Sequence, residues 1–327
     1  MNGEAARSGA GDGRTAEPIS PGDARPYRSE PRLEDEPGAE RSRGDGLRRA
    51  LVALVVIAAA LLGWLHLGAM IGEALPTSDM TAYGPGMGLF NFLNGFADFD
   101  AETRAAISAL CGTEAGLRTL SDRLVVLAMW EAMVAAMMLP TALPVLLAHS
   151  DAARRAGEPA GRTTLAVGLG YLAVWTAFAV VATVAQELMI AARMATPAGV
   201  PASLVLSGTT LIAAGLYQFT PWKWSCLARC RRPGARFSTG RSTIGALRLG
   251  LAEGVDCLGC CFALMVAMFA VGVMNVVWIV GLGAVMILEK VTSSWWIVRF
   301  VGVVLIASGV AALAASPVGA QLLSRLF

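Results

Sequence analysis

After residue 47 the chain alternates between long apolar runs and short polar or basic stretches. A membrane-crossing helix needs roughly 20 mainly apolar residues, at about 1.5 Å of rise each. Seven stretches qualify as candidate helices: 50–72, 123–148, 163–190, 202–219, 244–275, 276–291 and 296–315. The fifth is too long for one perpendicular crossing, and Arg248, Glu253 and Asp256 lie in its first half. The reading is therefore an interfacial helix over 244–256 and a span over 257–274; a tilted continuous helix with its thiols deeper is the competing picture. Pro140 is expected to kink the second run and free a backbone carbonyl.

The fold class that follows is an all-α polytopic membrane bundle of about seven helices with an N-terminal tail. Residues 1–47 are rich in Gly, Pro, Ala, Glu and Arg and nearly devoid of large apolar side chains, so they are expected to be a disordered cytoplasmic tail. The expected divisions are this tail, a first helix with an outer loop (48–122), a metal-binding bundle (123–315) and a short outer C-terminal tail (316–327). Composition agrees: 55% of residues are hydrophobic, 15% are charged and the mean hydropathy is +0.59.

The net charge of +2 matters less than its placement. Arg41, Arg43, Arg48 and Arg49 precede the first run, and Arg154, Arg155 and Arg162 separate the second from the third. Lys223, Arg229, Arg231, Arg232, Arg236 and Arg241 separate the fourth from the fifth. With seven spans all three groups share one side, which the positive-inside rule assigns to the cytoplasm. The expected location is the cell membrane, multi-pass, with a cytoplasmic N-terminus. Both cysteine clusters then face a reducing compartment, which favours free thiols over structural disulfides.

Five of the six cysteines fall in two tight groups: Cys226 and Cys230 in WKWSCLARCRRP, then Cys257, Cys260 and Cys261 in DCLGCCFALM. On a helix Cys257, Cys260 and Cys261 share a face, and Met265 and Met268 continue it inward. Cys226 and Cys230 are four apart and converge if their loop is helical. Met133 and Met137 repeat the spacing in the second run after Met129, with Met138 beside them. Thiolates and thioethers with only two histidines, His66 and His149, suit Cu(I) best and Zn(II) next. The metal-ligand set is Cys226, Cys230, Cys257, Cys260, Cys261, Met265, Met268, Met133, Met137 and Met138.

Each feature also has a plainer explanation. A methionine stripe packs a membrane helix as readily as it binds metal. Cys111 reads as a buried thiol without a role, and His66 and His149 as packing and interface residues. Glu187 is an interface carboxylate, Glu131 a candidate for an ion path, and Glu289–Lys290 a helix cap. The arginines near Cys226 and Cys230 anchor the loop and are expected to lower the pKa of the neighbouring thiols.

Four segments carry a family resemblance: MWEAMVAAMMLPTALPVL (129–146), GYLAVWTAFAVVATVAQ (170–186), AGLYQFTPWKWSCLARCRRP (214–233), and the 250–290 stretch that contains CLGCC. In these the chain resembles the predicted metal-binding integral membrane proteins, a bacterial family of unknown function. The resemblance implies metal binding over most of 123–291. The family pattern has Trp where Phe262 stands and often His near Glu253, a departure that weakens zinc more than copper.

Three function classes follow. One is a membrane protein that binds Cu(I) for transport or handover. The second is a thiol–disulfide relay using Cys257 and Cys260, resolved by Cys226 or Cys230. The third is a structural or assembly subunit of a membrane complex. No Walker-type glycine loop or phosphorylation segment is present, and enzymatic activity is not expected. The expected partners are the lipid bilayer and a metallochaperone or membrane complex, with no nucleic acid.

Overall fold

The computed structural model describes residues 37–74, 79–93, 119–232, 242–292 and 294–326. Cys111, Arg236, Arg241, most of the outer loop and the tail before residue 37 lie outside the described residues. Residues 1–45 and 46–327 form separate units, and the described part of the first is the opening turns of a helix.

The described residues form an all-α structure of ten helices. In chain order these are α1 (Pro37–Ala74), α2 (Leu120–Met137), α3 (Leu139–Arg155), α4 (Ala160–Ala191), α5 (Leu204–Tyr217), α6 (Pro221–Cys230), α7 (Thr243–Val271), α8 (Val276–Val291), α9 (Trp295–Ala315) and α10 (Pro317–Leu326). Two 3₁₀ turns, Met80–Tyr83 and Met87–Leu93, follow α1. Helix starts follow ordinary capping chemistry. Thr119 and Asp122 make a reciprocal capping box on α2, and Ser203, Thr220, Ser242 and Asn275 cap α5, α6, α7 and α8 with their side chains.

Four helices are long and apolar enough to cross a membrane: residues 46–72 of α1, and α4, α7 and α9. Helices α2 and α3 meet at a 56° bend and are long and apolar enough for a crossing only when taken together, as a broken span or a re-entrant pair. The remaining apolar runs are shorter helices, α5 with 14 residues and α8 with 16. Outward-facing Leu, Val and Ile side chains on α1, α4, α7 and α9 are exposed, as on helices whose outer surface meets lipid rather than water.

The bend lies where the proline chemistry requires it. Pro140 has no N–H to offer the Ala136 carbonyl, so α2 stops and α3 restarts with proline in its first turn. The Met138 carbonyl at the break is taken up by the Thr141 hydroxyl at 2.7 Å and the Tyr171 hydroxyl at 3.1 Å. The expected kink is present.

Helix α7 is the centre of the bundle. Its most apolar window is 67% buried, against 22% for α1. It packs most extensively along α4, and also against α5, α6 and α8. Gly250 permits this closeness, because a Cβ there would run into the Val167 carbonyl of α4.

Helix α7 is also continuous from Thr243 to Val271, which corrects the expected division into an interfacial helix and a span. The two acidic residues that suggested a break are accommodated in place: Asp256 pairs with Arg229 of α6 at 2.7 Å and Glu253 is buried, while Arg248 is exposed. The thiols therefore lie near the middle of a long helix, at a level where three neighbours end. Tyr217, the last residue of α5, donates its hydroxyl to the Gly259 carbonyl at 2.7 Å. Lys290 near the end of α8 reaches Cys257, and Tyr171 joins the α2–α3 break to the same cysteine.

Candidate metal centre

Helix α6 is ten residues long and turns one face to α7: Lys223, Cys226 and Leu227 are buried, with Cys230 partly buried one turn on. Three charged contacts hold it there. The Lys223 ammonium pairs with the Glu289 carboxylate of α8 at 2.7 Å, both side chains being buried. The Arg229 guanidinium pairs with Asp256 of α7 at 2.7 Å. Arg231 donates to the Glu289 main-chain carbonyl through Nε and Nη2. The basic residues of the loop thus act as clamps between helices.

The glycine in the CLGCC block provides clearance. The Cys226 sulfur lies over Gly259, and a Cβ at that position would come within 2.5 Å of it. Without this gap α6 could not lie against α7, and Cys230 could not reach the second cysteine group.

Cys230 Sγ is 3.8 Å from Cys260 Sγ, and Cys260 Sγ is 3.5 Å from Cys261 Sγ. Cys257 lies one turn earlier, and its main-chain carbonyl accepts from the Cys260 thiol at 3.1 Å. The structure therefore gathers Cys230, Cys257, Cys260 and Cys261, while Cys226 lies to one side, within 3.4 Å of the Arg229 guanidinium. All five described cysteines are free thiols. Cys226 corrects an expectation: burial raises its pKa, outweighing the adjacent guanidinium, with Asp256 adding to the rise.

Cys257 has the densest polar surroundings. Its sulfur lies 2.9 Å from the Tyr171 hydroxyl and 2.9 Å from the Lys290 ammonium, which also donates to Thr141 at 2.8 Å. Glu289 and Lys290 are thus more than a helix cap: the first anchors α6 and the second contacts the cluster. The signal was available, since ionisable residues at the end of an apolar run usually have a partner inside the protein. Nothing in the sequence pattern singled out Tyr171 or Thr141.

A cavity of about 250 Å³ opens onto this group, with Cys230, Cys257, Lys290, Tyr171, Arg231 and Glu253 on its wall. The donor set is soft and fits a thiophilic ion. Tetrahedral metal–sulfur bonds of roughly 2.3 Å put sulfurs about 3.8 Å apart, close to the Cys230–Cys260 spacing. Among the described residues, no three His, Cys, Asp or Glu side chains converge into a closed metal site. The reason is visible in the hydrogen bonds: Cys260 donates to the Cys257 carbonyl at 3.1 Å, and Cys257 faces Tyr171 and Lys290. The thiols point at these partners instead of at one centre.

The methionines are buried in the same core: Met133, Met137 and Met138 around the α2–α3 break, Met265 and Met268 on α7. Met137 lies against Gly283 of α8. Glu187 pairs with Arg123 at 3.2 Å, as suits an interface carboxylate, and Glu131 is partly buried on α2. His149 lies 3.3 Å from the Thr164 hydroxyl.

No curated protein and no solved structure gives a significant match to the chain. A family model described as PpoB2, copper chaperone, matches residues 127–312, a stretch that holds all five described cysteines and the three charged contacts of α6. With more than half of its 327 residues matched, the chain belongs to this copper chaperone family.

Proposed function

We propose that the protein is a multi-pass membrane protein that binds Cu(I) through its thiol cluster and passes it on, either across the bilayer or to a partner. The observation that carries this reading is the approach of Cys230 on α6 to Cys260 and Cys261 on α7, with Cys230 and Cys257 on the wall of one cavity, in a chain of a copper chaperone family. Copper is the cargo in this reading, and it enters and leaves as Cu(I).

Charge balance favours a monovalent ion. Two thiolates and one Cu(I) carry a net charge of −1, and the Lys290 ammonium beside Cys257 offsets it. The same pair with Zn(II) is neutral and would leave the lysine uncompensated. The 250 Å³ cavity gives a donor access to Cys230 and Cys257. With the basic segments cytoplasmic, the cluster receives or delivers copper on the reducing side, where a metallochaperone can reach it.

The test is anaerobic Cu(I) titration of the detergent-solubilised protein against a chromophoric Cu(I) chelator, beside the Cys257→Ser/Cys260→Ser/Cys261→Ser variant. Tight binding by the native chain and its loss in the variant supports the reading. Equal affinity in both removes the cluster from copper binding.

The 3.8 Å approach of Cys230 to Cys260 also suits a second reading, a thiol–disulfide relay. A native chain that takes up no copper but cycles between two and zero titratable thiols at this pair would favour the relay.

A further inference from the structure

At the C-terminal end of α7, beyond the thiols, Met70, Met80, Met87, Met129 and Met274 line one small cavity together with Tyr83. The methionines come from four places: α1, the 3₁₀ segment, α2 and the turn between α7 and α8. Met80, Met87 and Met129 are fully buried. The space is about 20 Å³, room for one water-sized occupant, and among the described residues its wall has no charged side chain. Methionines that only pack a core fill it, since the unbranched thioether adapts to irregular gaps. Here five of them border a void instead.

The segment that brings two of these thioethers is held in shape. The Asn275 amide and the Trp278 indole both donate to the Pro85 carbonyl, at 2.9 and 3.2 Å. Asn91 accepts from the Met80 amide at 2.9 Å and donates to Asp79 at 2.7 Å. Gly84 takes a φ of +110° at the turn between the two methionines, a conformation open to glycine.

We propose that this cavity is a second soft-metal site, taking Cu(I) through thioethers and forming the opposite terminus of the route that ends at the thiol cluster. The proposal rests on the copper reading above. From Cys257 to the end of α7 is about 21 Å of helix, and thioethers occur along that distance on both sides. Met129, Met133 and Met137 recur at every turn of α2, roughly 6 Å apart; Met265 and Met268 are one turn apart on α7, roughly 4.5 Å. All five are buried.

The two ligand types suit two compartments. With the basic segments inside, the 3₁₀ segment faces outward, where paired thiols oxidise to disulfides and thioethers do not. Neutral thioethers bind Cu(I) more weakly than thiolates, so an ion passing from the methionine cavity to the cysteines moves downhill with no change in oxidation state.

The experiment uses the full chain in detergent under anaerobic conditions, with Ag(I) and Cu(I) each buffered by a chelator. The variants are Met80→Leu/Met87→Leu/Met129→Leu in the native background and the same triple in a chain whose five described cysteines are serine. The native chain is expected to bind two ions, the leucine variant to lose the weaker one, and the five-serine chain to keep one ion with a sulfur-only shell by X-ray absorption. That last ion should vanish on adding the leucines. A native chain and leucine variant with equal stoichiometry and affinity would overturn this site and leave the thiol reading standing. A native chain that binds neither ion would overturn both.

Discussion

The middle of α7 and its C-terminal end are both rich in sulfur, yet they are built differently. At the thiol level, the five cysteines lie among charged groups: Lys290 on Cys257, Arg229 by Cys226, and the Lys223–Glu289 pair beside them on α6 and α8. At the methionine end the cavity wall is neutral and apolar, and the polar groups nearby serve to shape a loop. A thiolate needs compensation for its charge in a low-dielectric interior; a thioether needs none. The charges therefore collect at one end.

That contrast can be broken most severely at the buried ion pair. Lys223→Met leaves Glu289 buried without its ammonium, which typically costs about 3–5 kcal/mol. We expect a large fall in the thermal midpoint of the purified protein, partly recovered in Lys223→Met/Glu289→Leu. A single variant as stable as the native chain would mean the pair carries no such role.

Next in size is the effect of Lys290→Met. Removing a group that orients or balances a metal ligand lowers affinity by about 10–100-fold. Competition titration should show this loss for Cu(I) and a smaller one for Zn(II). Equal losses for both ions would refute the charge-balance argument.

Gly259→Ala tests the clearance between α6 and α7. Its new methyl meets the Cys226 sulfur and should cost about 1–3 kcal/mol. Combining it with Cys226→Ala should relieve much of the strain, and additive losses would show that the contact is not the cause.

At the other end, Trp130→Phe removes the indole donor to Gln186, a 3.0 Å bond, while keeping the ring stacked on Phe269. About 1 kcal/mol is expected, without effect on thiol-bound copper.

The smallest effect concerns pH, and it has opposite signs at the two ends. The Thr81 backbone amide and the Asn91 side chain hold the Asp79 carboxyl below its ordinary value, so its capping contribution is present at neutral pH and is lost as acid protonates it, below about pH 4. Burial raises the Cys226 thiol, so its contribution is intact at neutral pH and fades in alkali, from roughly pH 8.5 upward as the unfolded thiol ionises first. Hydrogen exchange should therefore loosen Met80–Tyr83 in acid and α6 in alkali. The reverse pattern would refute both assignments.

Much of this was legible in the residues. The apolar runs predict the helices because period and length suffice, and the break at Met138 follows from a proline that lacks a donor. The continuity of α7 was not legible, because local charge argues for an end at Asp256 and only a partner on α6 removes the argument. Lys290 and Glu289 look like a cap until α6 is seen between α7 and α8.

The sequence by itself thus determined the all-α class, the soft donor set and the membership of each cysteine group, since these depend on composition and on spacing along one helix. The tertiary structure decided which thiols meet, which charges accompany them and that five methionines from distant segments enclose one cavity. Those are contacts between elements far apart in the chain, set by a glycine that lets two backbones close and by ion pairs that fix which faces touch.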